Sequence, residues 1–384
     1  MATIDSDAQL AIHVFGASQG ESIVLRLPDG GWGVVDCYAS TLNDPSDNPT
    51  CQFLAERGVT ELEFLCLTHP HDDHFRGMSR LLDEFSVRCF WRPSVMSGER
   101  LKWLLKLSLL DAARSGNEKT VEDANELERV FTLIRDARRK RTDPIILKNA
   151  AVGTLLYPVP VDPSAGFQIW SVAPSGRQTD RYEDGLRKCF DSSGRMCDRL
   201  PYSRHNEISM ALLVVFGETR VVLGGDVETS GWSDSIKEFG VDKLSAVAVK
   251  VSHHGSTNGY CDGLWQAFAK DGKPIAILTP FRRHGLPKRE GLEHIREFAQ
   301  RILTPSLAAI PSEELPIPLS SKAPVQSRKA LRDTFKARAR SSDYPPGRCS
   351  LVFDNHGNCV ERIVDPPAGE ISSNKANRWY ENNP

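Results

Sequence analysis

The sequence has no excess of charge of either sign: 48 lysines and arginines stand against 50 aspartates and glutamates, a formal net charge of −2. No global field seeks polyanions, so charge neither indicates nor excludes nucleic acid. There is no C-x-x-C pair, and the nine cysteines are odd in number and scattered, a poor disulfide framework and a poor thiolate zinc site. No apolar run approaches the ~20 residues of a membrane span. Met1 to Leu10 carry acids and polar groups where a secretory leader needs a basic start and an apolar stretch. These absences lead us to expect a reducing, cytoplasmic setting with no membrane partner. What is present, 384 residues with 40% hydrophobic and 26% charged content, is the composition of a globular chain with a large core.

The chain alternates strand-like runs with turns over Ala11 to Asp36, and a short apolar strand at Phe64 to Leu67 runs into a polar cluster. Residues 97–141 have helical spacing, with a break expected at Gly116, and end in Arg138-Arg139-Lys140-Arg141. That run is either a solvated helix end or a phosphate-contacting patch centred on Arg139. A second strand-rich half follows, interrupted by a charged insertion at 175–202 and closed by a helix over Glu290 to Ile302. We therefore expect one domain over 1–303 carrying both insertions. A Pro/Ser-rich linker and basic segment (304–347), a hairpin (348–364) and a frayed tail (365–384) follow.

The chemistry concentrates in Thr68-His69-Pro70-His71-Asp72-Asp73-His74, three imidazoles and two carboxylates within six positions after a strand. Such a cluster fills neither core nor surface well, whereas divalent metals seek imidazole nitrogens and carboxylate oxygens. The first two histidines can grip one ion, while Asp73 and His74 reach a second. Two coordination spheres need distant ligands, and two apolar strands end in suitable groups: Val221-Val222-Leu223-Gly224-Gly225-Asp226, with Asp226 placed to bridge, and Val249-Lys250-Val251-Ser252-His253-His254. Asp36, after Gly33-Val34-Val35, is a strand-end acid suited to orient a ligand or a water.

In this order the motifs resemble those of the metallo-β-lactamase superfamily, and more narrowly the hydrolase domain of ComEC-type competence proteins and their soluble relatives. The similarity runs through Val14 to Cys37, Leu65 to Gly77, Asn206 to Asp226, Lys250 to Ser256 and Ile275 to Leu292. It departs at Asp36-Cys37-Tyr38, at Arg76-Gly77 and at Gly285-Leu286-Pro287, where the family carries D-x-G, G-G and G-H-P. The resemblance implies an α/β, four-layer αββα sandwich with a helical insertion and a C-terminal extension. It also implies two divalent ions, zinc first and manganese next. Of the neighbouring pair it favours His253 as ligand and leaves His254 facing substrate, with the swapped assignment as the alternative. His205 becomes a candidate third-motif ligand.

On this reading His69 and His71 hold one ion, Asp73, His74 and His253 the other, and Asp226 bridges. The nucleophile is a hydroxide between the ions. The catalytic set is Asp73, His254, Lys250 and Asp36, and substrate contacts are Asn206, Ser256 and Arg139. The expected activity is phosphodiester hydrolysis, on nucleic acid, a nucleotide or a phospho-headgroup. A carboxyl-ester, lactone or thioester hydrolase and a non-catalytic metal or nucleotide sensor are the alternatives.

Overall fold

The computed structural model describes residues 8–140, 142–198, 201–307 and 346–371. Arg141, most of the expected linker and basic segment (308–345) and the end of the expected tail (372–384) lie outside the described residues.

The strands in chain order are β1 (Leu10–Gly16), β2 (Ser22–Arg26), β3 (Trp32–Val35), β4 (Glu61–Leu62), β5 (Phe64–Cys66), β6 (Ser86–Val87), β7 (Cys89–Pro93), β8 (Ile146–Ala150), β9 (Thr154–Tyr157), β10 (Phe167–Ala173), β11 (Ala211–Phe216), β12 (Thr219–Leu223), β13 (Ala248–Lys250), β14 (Ile275–Ile277), β15 (Arg301–Thr304), β16 (Gly347–Phe353), β17 (Cys359–Asp365) and β18 (Gly369–Glu370). They form two large sheets, in the orders β17-β16-β1-β2-β3-β5-β7-β8 and β18-β15-β14-β13-β12-β11-β10-β9, with β4 and β6 paired separately. The helices are α1 (Pro49–Ala55), α2 (Asp72–Phe75), α3 (Met78–Glu84), α4 (Gly98–Ser115), α5 (Glu118–Arg138), α6 (Gly176–Lys188), α7 (Thr229–Ser235), α8 (Leu264–Phe268) and α9 (Arg289–Phe298).

Period-two side-chain alternation explains the layering. In β2, Ile23 and Leu25 face the second sheet, where they meet Leu212, Val214, Val221 and Leu223. Val24 between them faces the helical layer with Phe53, Leu81, Leu127 and Phe131. In the second sheet Leu213 and Val222 point the other way, into Trp232, Trp265, Phe268 and Leu292. The outcome is the four-layer αββα sandwich. Its helical insertion is the α4–α5 pair. Gly116, at φ 60, ends α4, and the Asn117 side chain accepts from the Lys119 and Thr120 amides to start α5.

The C-terminal hairpin is built into the sandwich. β16 runs antiparallel to β1 from Leu10↔Phe353 to Gly16↔Gly347, inside the first sheet. Within the stretch read as a frayed tail, Gly369–Glu370 pair with β15, and Ile371 is buried with its amide donating to Ile302 O (2.9 Å). One apolar side chain anchors a segment whose Pro and Gly content otherwise reads as loop.

Candidate metal centre

β3, β5 and β7 in one sheet and β12, β13 and β14 in the other run parallel. Their carboxyl ends therefore share one edge, the place where open α/β sheets present ligand-binding loops. Asp36 follows β3, the histidine loop follows β5, Asp226 follows β12, the His253–His254 pair follows β13, and Thr279 follows β14. Backbone bonds fix these strand-end loops: Asp36 N to Cys66 O (2.8 Å) and Cys37 N to His74 O (2.8 Å) within the first sheet's loops, His253 N to Gly225 O (3.0 Å) within the second's, and Met210 N to Thr68 O (3.1 Å) from one sheet to the other. Asp226 can turn inward because Gly225 sits at φ 51, where a Cβ would fall 2.3 Å from Met210 O.

Two adjoining donor groups result, both buried and both including Asp226: Asp73, His74, Asp226 and His254; and His69, His71 and Asp226. In the first, His254 Nε2 lies 3.2 Å from Asp73 Oδ2 and 3.7 Å from Asp226 Oδ1, and His74 Nε2 lies 3.5 and 3.6 Å from the same two oxygens. In the second, His69 Nε2 lies 2.9 Å from His71 Nδ1 and 3.9 Å from Asp226 Oδ2.

The surrounding bonds settle which nitrogen of each ring faces the cluster. Asp36 Oδ2 accepts from His74 Nδ1 (2.7 Å) and from Thr68 Oγ1 (2.7 Å), and Oδ1 accepts from the Thr68 amide (2.8 Å). Having donated to Asp36, Thr68 Oγ1 is left to accept from His69 Nδ1 (3.0 Å). Asp36 thus orients His74 directly and His69 through one hydroxyl, leaving both Nε2 lone pairs inward. His254 has the same arrangement, with Nδ1 at Thr279 O (3.1 Å) and Oγ1 (3.0 Å), and Thr279 Oγ1 donating to Glu21 Oε2 (2.7 Å).

Lys250, expected to touch substrate, is instead fully buried and ion-paired with Glu21, with Gly225 O 3.4 Å away. It is a strand residue whose ammonium faces the interior, with the Glu21 carboxylate as its partner. Glu21 and Thr279 were not singled out from the sequence. The signal for Thr279 was available, since it is another polar group directly after an apolar strand. Glu21 sits on a turn, and only its partners reveal it.

His253 and His254 exchange their expected places. The residues have φ 47 and 53, so two consecutive non-glycine residues adopt the left-handed region. This costs roughly 1–2 kcal/mol per residue. The turn puts His254 in the donor group and His253 at its edge, Nε2 3.3 Å from Asn206 Nδ2 and Nδ1 3.7 Å from Glu228. Asn206 is buried and also donates to Glu228 Oε1 (3.0 Å). The His205 ring stands 5.4 Å from that of His71, with Nδ1 2.7 Å from Tyr182 OH on α6, so the 175–202 insertion reaches the site. His205 belongs to neither donor group. The Ser256 amide closes the turn on His253 O (2.9 Å).

Arg139 is exposed at the C-terminal end of α5, whereas the opposite end touches the histidine loop, through Lys119–Asp72 (3.2 Å) and Arg76 paired with Glu122 and Asp123. At 1.5 Å per residue the two ends are about 24 Å apart along the helix, counted from Asp123 to Arg139. Among the described residues, the basic run from Arg138 to Lys140 does not line the donor cluster.

The donor groups fit divalent ions. His74 Nε2 and Asp226 Oδ1 are buried without a hydrogen-bond partner, an arrangement that costs about 1–3 kcal/mol per group unless a cation takes the lone pairs. Burial alone would push His74 and His254 down. The carboxylates around them, Asp73, Asp226 and Asp36 for His74 and Asp226, Asp73 and Glu21 for His254, outweigh it and hold both imidazoles above their ordinary range. Burial would likewise raise Asp226, and the facing histidines hold it well below instead. A field that retains protons on two buried imidazoles also attracts a cation to their inner nitrogens. His69 goes the other way, pushed well down by burial and by His74 and His71, and so is a neutral donor.

No helix among the described residues is long and apolar enough to cross a membrane. No family model matches the chain, and no curated protein matches it. Similar solved structures include zinc-bound PqqB from Methylobacterium extorquens (14% identity, 59% of this chain and 58% of that one, TM-score 0.29). This chain thus spans less than two thirds of PqqB. Others are the metallo-β-lactamase fold protein YhfI from Bacillus subtilis (12%, 77% and 95%, TM-score 0.38) and a diphosphatase from the PhnP family (10%, 71% and 87%, TM-score 0.34). At such identities and scores these likenesses assign neither family nor activity; the αββα arrangement stands on this chain's own strand order and core.

Proposed function

We propose that the chain is a hydrolase that uses two divalent metal ions and acts on phosphodiesters. The observation that carries the reading is the pair of buried donor groups sharing Asp226. His69 and His71 with Asp226 would hold one ion, and Asp73, His74 and His254 with Asp226 the other. This places His254, rather than His253, among the ligands. Four imidazoles with two carboxylates suit zinc, and the oxygen donors leave manganese second. Bound there, such ions lower the pKa of a water molecule and offset negative charge developing on a reacting phosphoryl group.

The chain's own residues then have separable tasks. Asp36, Thr68 and Thr279 keep the Nδ1 protons of His74, His69 and His254 outward, so that each ring enters in one tautomer. Glu21 fixes Thr279, and Lys250 balances the Glu21 charge. His253, Asn206 and Glu228 form a polar edge beside the donors, placed to contact a substrate oxygen. The choice of phosphodiester over carboxyl ester rests on the resemblance to ComEC-type hydrolase domains.

The test is metal content by elemental analysis of wild type and Asp73→Ala, alongside hydrolysis of bis(p-nitrophenyl) phosphate. About two metals per chain with turnover lost in the variant is the expected result. Two metals with turnover only of carboxyl esters or lactones would move the reading to the ester class. Metal without turnover of any ester would leave a sensor.

A further inference from the structure

The turn after β14 carries a second feature of this edge. From Phe281 to Arg289 it reads Phe-Arg-Arg-His-Gly-Leu-Pro-Lys-Arg, with four permanent cations and no acid. Its position relative to the donors is fixed by ring stacking. Phe281 stacks on His254 (centroids 5.0 Å apart, 20° between planes), and His284 stacks on Phe281 (5.0 Å, 25°). The turn is closed by Phe281 N to Leu286 O (3.2 Å) and Leu286 N to Phe281 O (3.0 Å), and Arg282 N to Ser18 O (2.8 Å) ties it to the first sheet. The cations are therefore held on a preformed lip beside His254.

Their charges differ in how far they are already committed. Arg289 is taken up by Glu293 (2.9 Å). Among the described residues the Lys288 ammonium donates to a neutral carbonyl, His284 O (3.1 Å), and has no ion pair. Arg283 is exposed and has no ion pair or hydrogen bond from its side chain among the described residues.

We propose that this lip is a subsite for the substrate's anionic backbone beyond the scissile bond. Arg283 and Lys288 are its phosphate contacts, and an oligonucleotide strand is the substrate class. The inference rests on the phosphodiester reading above and adds to it which part of the chain reads the neighbouring phosphate. It also replaces the Arg138–Lys140 run, at the far end of α5, as the basic element serving the site.

The test compares wild type, Arg283→Ala/Lys288→Ala and, as a charge-matched control, Arg138→Ala/Arg139→Ala. Each is assayed on bis(p-nitrophenyl) phosphate and on a short oligothymidylate across a range of salt. In the lip variant kcat/KM on oligothymidylate should fall about tenfold at low salt, with the log–log salt slope reduced by about one to two. Turnover of bis(p-nitrophenyl) phosphate should stay within about twofold, since it has no second phosphate for the lip to read. An equal loss on both substrates, no loss on oligothymidylate, or the same loss in the control variant overturns the lip. If wild type hydrolyses neither substrate, the phosphodiester reading is what fails. Fluorescence anisotropy with labelled oligothymidylate then decides the lip: weaker binding in the lip variant alone supports it, and equal Kd values overturn it.

Discussion

Asp36 Oδ2 lies 2.7 Å from His74 Nδ1, both groups fully buried, and Asp36 reaches this position from a left-handed backbone (φ 58) at the end of β3. Burial pushes the Asp36 carboxyl up, and the His74 imidazole pulls against it. The pair fixes the inner face of His74 before any ion binds.

Asp36→Asn replaces the acceptor of three hydrogen bonds with a group that must turn an amide N–H toward at least one of those donors, so His74 and the Thr68–His69 pair lose their enforced tautomers. Metal affinity should drop about 10- to 100-fold. Competition against a fluorescent chelator measures this, and an unchanged affinity would remove Asp36 from its orienting role.

The placement of the adjacent histidines gives a second prediction. His254→Ala should lose about one of two bound ions, whereas His253→Ala should keep both and change turnover instead. Elemental analysis of the two variants after chelator-free purification separates them, and the reverse pattern would restore His253 as the ligand.

Glu21 and Lys250 form an ion pair inside the protein. Removing one partner alone, as in Glu21→Gln or Lys250→Met, strands a buried charge and should cost about 3–5 kcal/mol. The double variant should cost clearly less than the sum of the singles. Urea unfolding with chelator present keeps metal effects out of the comparison, and strict additivity would mean that the pair does not interact.

His13, on β1 opposite Ser350 of β16, touches Ser350 Oγ (2.8 Å) and is pushed down to about 3 by burial and by the Arg348, Arg57 and Arg26 charges. Between that value and the ordinary histidine value near 6.5 the unfolded chain holds a proton that the folded one rejects. This part of the stability is present above pH 6.5 and is lost as pH falls toward 3. His13→Asn should lose about 2 kcal/mol less than wild type between pH 7 and pH 5. Parallel stability–pH curves for the two proteins would contradict the shift.

Much of this was legible in the residue order, because the informative features are local. Apolar runs ending in Asp36, Thr68, Asp226 and the His253–His254 pair mark strand ends, and the unbroken apolar runs within Ser22–Arg26 and along Ala211–Phe216 mark strands buried on both faces. A loop with three imidazoles and two carboxylates announces donors without a fold around it. Gly116 announces the break between α4 and α5 because a helix stops where the chain turns left-handed.

The tertiary structure decided everything that depends on direction and on partners distant in sequence. Neighbours in sequence diverge when the backbone turns at φ 47 and 53, so residue type alone could not choose between His253 and His254. Lys250 looks free beside a histidine pair until β13 buries it against Glu21 from the other sheet. Arg139 belongs to a helix that touches the histidine loop, yet the rise per residue carries it to the far end. Residue types and strand periods thus determined which groups are present and where each strand ends. Which of those groups meet was set by packing two sheets face to face, because contact depends on three-dimensional direction and not on sequence separation.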